Sequence, residues 1–301
     1  MSIQYLQKCA DEVNAFNEHV TLIQSLHTQA TEQVDWEAVA NIAPPVMPMI
    51  TFEHKSKAIE TLSGYQFSWM NYLTQKRPQL DALLQDIETS TNKDIAHYQT
   101  QLKCWQQEYS EWLQKTKLAK NVLNNDNDSK IEALRQQLES WTQQAPGFPS
   151  ISSNDLEYKN GYCLDVNIRV DQNIAVPRTQ KSLFQGLLKV ETIPFERRNK
   201  IYQEYVYSSA MKAALDIFAT LPDNHVKVNV QDKDSDNNCR VIFSIHIERK
   251  LLNSLDLNND SASELISNFI HFQKFDGTQE DGFTPINHPF EPSANFLSFL
   301  V

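Results

Sequence analysis

Two short phrases in this 301-residue chain carry chemically useful side chains at a useful spacing. Pro222-Asp223 follows one apolar run, and Glu248-Arg249-Lys250 ends another. The alternation in His225–Val230 and Arg240–Ile247 predicts two strands joined by a polar turn. In an antiparallel hairpin the start of the first strand faces the end of the second. Asp223 and Glu248 become neighbours, and Lys250 shares the face of Glu248 through the two-residue period. Two carboxylates so placed can hold Mg²⁺, and the lysine can help activate an attacking water.

That spelling is the one used by metal-dependent nucleases of the PD-(D/E)xK type, with Asp223, Glu248 and Lys250 as the catalytic set and Mg²⁺ as cofactor. It competes with a structural reading, since Pro-Asp is also a common stop after a helix. Other chemistries find less support. The run Asp232/Asp234/Asp236 imitates half of a calcium loop, but no glycine follows at the sixth position and Phe243 stands where a bidentate glutamate is needed. The six glycines form no phosphate-binding fingerprint, because Phe283 follows Gly282 where a Walker-type loop needs lysine. The eight histidines show no metal-ligand spacing, and no G-x-S-x-G elbow is present. Cys9, Cys104, Cys163 and Cys239 lie far apart, which fits reduced thiols in a cytoplasm better than disulfides or zinc.

The formal net charge of −11 opposes nonspecific binding to nucleic acid or anionic lipid. One island departs from it: Arg178, Lys181, Lys189, Arg197, Arg198, Lys200 and Lys212 against Glu191, Glu196 and Glu204. A nucleic-acid-binding module using residues 178–212 is therefore a further alternative. No apolar run approaches the ~20 residues that span a bilayer, so no membrane insertion is expected.

The elements that must position these groups fall into two halves. Apolar residues at helical spacing predict an amphipathic helix over 3–33, a short one over 35–42 and another over 52–76. Pro44, Pro45 and Pro48 force an extended crossing between the second and third. A long helix over 79–122 carries Ile95, Leu102 and Tyr109 at seven-residue intervals, and Tyr98, Trp105, Trp112 and Ala119 at the same interval. That is a heptad seam rich in aromatic residues. A return helix over 131–141 is expected to pack back on it. After Ala145-Pro146-Gly147-Phe148-Pro149 the period changes: a strand over 162–170, the main helix over 194–220, the hairpin, and a last helix over 261–272. The expected architecture is α+β: a long helical, coiled-coil-like half (1–145), a linker (146–160), a small α+β domain (161–290) with an antiparallel hairpin and one main helix, and an apolar tail (291–301).

Several phrases carry a resemblance. They are Val34-Asp35-Trp36-Glu37-Ala38-Val39-Ala40 before Pro44-Pro45; Ile201-Tyr202-Gln203-Glu204-Tyr205-Val206; Ala214-Leu215-Asp216-Ile217-Phe218-Ala219-Thr220-Leu221-Pro222; Phe243-Ser244-Ile245-His246-Ile247-Glu248-Arg249; Phe269-Ile270-His271-Phe272; and Gly282-Phe283-Thr284-Pro285. Together they resemble the C-terminal region of uncharacterised bacterial proteins that elsewhere carry restriction-endonuclease-like or membrane N-terminal modules. That pattern asks for neither Asp223 nor Lys250, whereas Arg249 matches it. The resemblance implies a non-enzymatic sensing or scaffolding part, an accessory component of a bacterial anti-phage defence system that needs no cofactor. Its partners would be the products of neighbouring genes, with self-association through the helical half. Arg197, Arg198, Lys200 and Arg249 are the expected contact charges.

Overall fold

The computed structural model describes residues 3–29, 31–64, 77–138, 148–159, 163–233, 238–279 and 282–286. The chain is α+β with a long helical N-terminal half. It divides into two compact units, one formed by Met1–Asp35 with Asn121–Val301 and the other by Trp36–Lys120. The division therefore does not follow the expected boundaries at 145 and 160. The first helix belongs with the sheet, where its Cys9 and Ile23 are buried. The apolar tail expected over 291–301 lies outside the described residues, as do Trp69, Trp141 and most of the 234–238 turn.

The sheet unit begins with α1 (Ile3–Gln24) and a 3₁₀ turn (Leu26–Thr28). The helical unit contains α2 (Trp36–Ala40), α3 (Glu53–Ser63) and most of α4 (Arg77–Leu123). At 47 residues α4 is about 70 Å long. The sheet unit resumes with α5 (Asn127–Leu138), β1 (Ser150–Lys159), β2 (Cys163–Arg169), α6 (Gln172–Ala175), β3 (Thr179–Phe184) and β4 (Leu187–Thr192). The main helix α7 (Phe195–Thr220), β5 (His225–Lys233), β6 (Cys239–Glu248), α8 (Arg249–Leu252), α9 (Ala262–Ile266) and β7 (Ile270–Gln273) complete it.

The five-stranded sheet has the order β1-β2-β5-β6-β7. Only β2 and β5 run parallel, which β3, β4 and α7 make possible by carrying the chain across. The period of two sends Leu164, Val166, Ile168, Val226, Val228, Val230, Ile245 and Ile247 to one face, where all are buried. α7 packs on β5 and β6, while α1, the 3₁₀ turn, α5 and α9 pack around α7. That encirclement buries even polar residues of the helix: Asn199, Ser208, Ser209, Lys212, Asp216 and Thr220.

Two expectations need correction here. The return helix, α5, packs inside the sheet unit on β1 and α7, burying Ala133 and Leu134. The last helix is short: after α9 the chain extends into β7, because Phe272 and Gln273 find the open edge of β6. Strands β1, β3 and β4 were not foreseen. The β3–β4 turn is tight, with Gln185 at φ 51° and Gly186 at φ 81°, the pair of positive angles that a two-residue hairpin requires. Among the described residues no helix is long and apolar enough to cross a membrane.

Candidate interaction site

The two phrases singled out by sequence do meet, as the hairpin demands. His225 lies opposite Glu248, and Arg249 N donates to Asn224 O at 2.8 Å. Their roles are different from those expected. α7 ends at Thr220, so the carbonyls of its last turn have no partner inside the helix. Arg249 reaches back to that end: Nη1 donates to Phe218 O at 2.8 Å, Nε to Asp223 O at 2.7 Å and Nη2 to Leu221 O. Its guanidinium lies 4.6 Å from the Phe218 ring centroid. The neighbouring Ala219 O accepts from Val34 N at 2.9 Å. Arg249, expected as a contact charge, is thus spent on capping the main helix. Burial lowers its pKa, with the charge of Asp223 working against that shift.

Asp223 is equally committed. One carboxylate oxygen accepts from Lys130 Nζ of α5 at 2.5 Å and the other from the Tyr158 hydroxyl of β1. The side chains of Lys130 and Asp223 are 5% and 9% exposed, so this is a buried ion pair. Burial first, and then the bond to Asp223, pushes the Tyr158 phenol far above its ordinary value. A divalent cation on Asp223 would have to displace a buried ammonium, so the residues do not fit the Mg²⁺ site of the nuclease reading. Glu248 is half-buried and Lys250 exposed. Among the described residues no group of three or more His, Cys, Asp or Glu is placed to hold a metal ion.

The basic island is also largely engaged. Lys181 pairs with Glu12 at 3.1 Å, Lys189 with Glu191 at 2.8 Å, and buried Lys212 with Asp216 at 2.8 Å. Arg178 donates to Asn173 Oδ1 and Arg197 to Gln180 Oε1, both at 2.7 Å. Arg197 and Lys200 remain exposed at the start of α7, and Arg198 is half-buried.

Sequence reasoning passed over a polar ladder on the second face of the sheet. Asp165 accepts from Lys159 at 3.0 Å, Lys227 at 3.1 Å and Asn229 at 2.5 Å, and Ser244 donates to Asn229 at 2.7 Å. Asp165, Lys227, Asn229, Ser244 and His246 are all buried. The stacked rings of His225 and His246 lie 5.4 Å apart, and neither ring nitrogen of His246 has a hydrogen-bond partner among the described residues. Cys163 stands beside this ladder, but burial and the charge of Asp165 push its thiol up to about 11, the opposite of an activated nucleophile. A cleft of about 250 Å³ lies on the far side, bounded by His27, Thr31, Phe218, Arg249 and Asn258. Its polar groups are satisfied internally: His27 Nδ1 lies 2.8 Å from Ser208 Oγ, and Thr31 and Lys212 both donate to Asp216.

The helical unit presents a different surface. Residues Ile42–Phe52 contain Pro44, Pro45 and Pro48 and no charged side chain. This extended strap runs antiparallel to α4, held by Trp112 Nε1 donating to Ile42 O at 2.8 Å and Trp105 Nε1 to Pro45 O at 3.0 Å. At its end the Asp94 carboxylate accepts from the first free backbone N–H groups of α3, His54 N and Lys55 N. Burial pushes the Asp94 carboxyl up, but the bonds from Lys55 N and from the side chain and N–H of His54 outweigh it and hold the pKa low. The seam of Tyr98, Trp105 and Trp112 is thus occupied by the strap. Having spent its backbone on this anchorage, the strap turns its side chains outward, with Val46 91% and Met49 83% exposed. Among the described residues of this unit only Ala58 and Ala119 are buried apolar side chains. No family model, curated protein or solved structure matches this chain.

Proposed function

We propose that this chain is a non-enzymatic interaction protein, a cytoplasmic scaffold in which the helical unit docks a partner and the sheet unit serves as its folded base. The strap carries this reading. Three prolines pre-set an extended conformation, so ordering it on binding costs little entropy. Two indole N–H bonds pin it, and its outward side chains are Val46, Met47, Met49, Ile50 and Phe52. Uncharged proline-rich segments of this kind suit an apolar, aromatic-lined groove on another protein. Of the charges that the catalytic reading would use, Asp223 is already held by Lys130 and Tyr158, which supports the proposal from the other side. The resemblance noted in the sequence supports reading this chain as an accessory part of bacterial anti-phage defence, with the products of neighbouring genes as partners.

The experiment is a pull-down with those purified products, comparing the full chain with Val46→Asp/Met49→Asp. Both side chains point into solvent, so the variant should melt like the wild type. Loss of capture by the variant supports the reading. Equal capture by both proteins, or capture of nothing by either, counts against it.

A further inference from the structure

α4 carries a second apolar line that the strap leaves uncovered. Leu84, Ile95, Leu102, Tyr109 and Leu113 are separated by eleven, seven, seven and four residues. At 3.6 residues per turn all five fall within about 20° of one line along the helix. Leu84 and Leu113 are 50% exposed, Ile95 and Tyr109 37%, and Leu102 is half-buried. The line runs for about 44 Å. The described residues of this unit bury almost no apolar side chain, so this much exposed apolar surface on one helix calls for a packing partner.

We propose that the partner is a second copy of this chain, packed antiparallel against α4 about a two-fold axis between residues 98 and 99. This deepens the reading of the helical unit as a docking part and rests on it. The spacing is self-complementary under that reversal. Leu84 precedes the midpoint by as much as Leu113 follows it, and Ile95 and Leu102 flank it equally. Leu84 therefore meets Leu113 of the second copy, and Ile95 meets its Leu102. Tyr109 falls opposite Glu88, whose carboxylate can accept from the phenol.

The flanking charges choose the direction. Asp81 and Lys117 lie 36 residues apart, ten helical turns, so they stand on the same side of the apolar line. An antiparallel two-fold brings same-side flanks together and sets Asp81 within one residue of Lys117 of the other copy, twice over. Parallel pairing joins opposite flanks, which leaves the Asp81 and Lys117 side chains of the two copies on opposite sides of the seam and forfeits this attraction. An isologous contact of this type closes on itself as a dimer.

The experiment is sedimentation equilibrium of the full chain, with Asp81→Lys, Lys117→Glu, the double reversal and Ile95→Asp/Leu113→Asp. The wild type should be a dimer, and the apolar double variant a monomer with an unchanged circular dichroism spectrum. Each single reversal should weaken dimerisation about five-fold, because a surface pair counted twice amounts to roughly 1 kcal/mol. The double reversal should restore it to within two-fold of wild type. A monomeric wild type overturns the proposal, and so does a dimer in which the double reversal is no better than the singles. Both failures leave the pull-down with neighbouring products free to succeed, so the broader reading stands or falls separately.

Discussion

Replacing Arg249 by methionine removes three donors from the end of α7 while keeping a side chain of similar length. The carbonyls of Phe218, Leu221 and Asp223 each lose a bond from a charged donor, and the contact over the Phe218 ring goes with them. Fully buried, three such losses would cost on the order of 1.5–3 kcal/mol each. Arg249 borders the open cleft, however, so water can enter and take over part of the bonding. A net loss of about 3 kcal/mol follows. For a sheet unit of roughly 200 residues, each kcal/mol shifts the melting temperature by about 2–4 °C, so a fall of about 6–12 °C is expected. Thermal melts followed by circular dichroism measure it. Arg249→Lys should recover only part of the fall, since one ammonium cannot reach three divergent carbonyls. If Arg249→Met melts within 1 °C of wild type, the capping role is refuted and the residue returns to the surface as a contact charge.

Three further outcomes follow from other parts of the structure. Asp223→Asn leaves the buried Lys130 ammonium without a counter-charge and should cost about 3–5 kcal/mol in urea denaturation, whereas Lys250→Ala, an exposed change, should cost less than about 0.5 kcal/mol. Burial, then the charges of His225 and Lys227, push the His246 pKa down to about 4. The unfolded chain binds that proton near pH 6.5, so acid favours unfolding, and stability should fall progressively from about pH 6.5 to pH 4 by roughly 3 kcal/mol, a slope that His246→Phe removes from urea melts taken across that range. Trp105→Phe keeps the ring's apolar contact but deletes the bond to Pro45 O, worth about 1 kcal/mol; limited proteolysis within residues 42–52 should then accelerate about five-fold, and an unchanged rate would show that the indole does not hold the strap.

Much of the fold was readable because its signals are local. The main helix was expected over 194–220 and spans Phe195–Thr220; the long helix was expected over 79–122 and spans Arg77–Leu123. Strand β2 and the β5–β6 hairpin followed from alternation alone. β3 and β4 were hidden because their side chains are mostly exposed, and an exposed hairpin needs no apolar alternation. β7 was hidden because Ile270-His271-Phe272 fits a helix as well as a strand, and the open edge of β6 decided between them. Trp105 and Trp112 of the expected seam lie on α4, where they bond the strap. The extended strap leaves backbone carbonyls without helix or sheet partners, and Ile42 O and Pro45 O were there for the tryptophans to bind.

The site residues divide along the same line. Composition and spacing alone established an acidic α+β chain without a phosphate loop or a zinc-type motif, and they brought Asp223 and Glu248 to neighbouring strand ends. The partners of Asp223, Arg249 and Lys212 were a matter of tertiary structure. Lys130 is 93 residues from Asp223 in sequence, and Arg249 is 31 from Phe218. Helical and strand periodicity arises from the backbone repeat and is written into a dozen adjacent residues. Which carboxylate a lysine neutralises depends on where the packed elements deliver both groups and on how much water they exclude, and no local pattern in the chain encodes that.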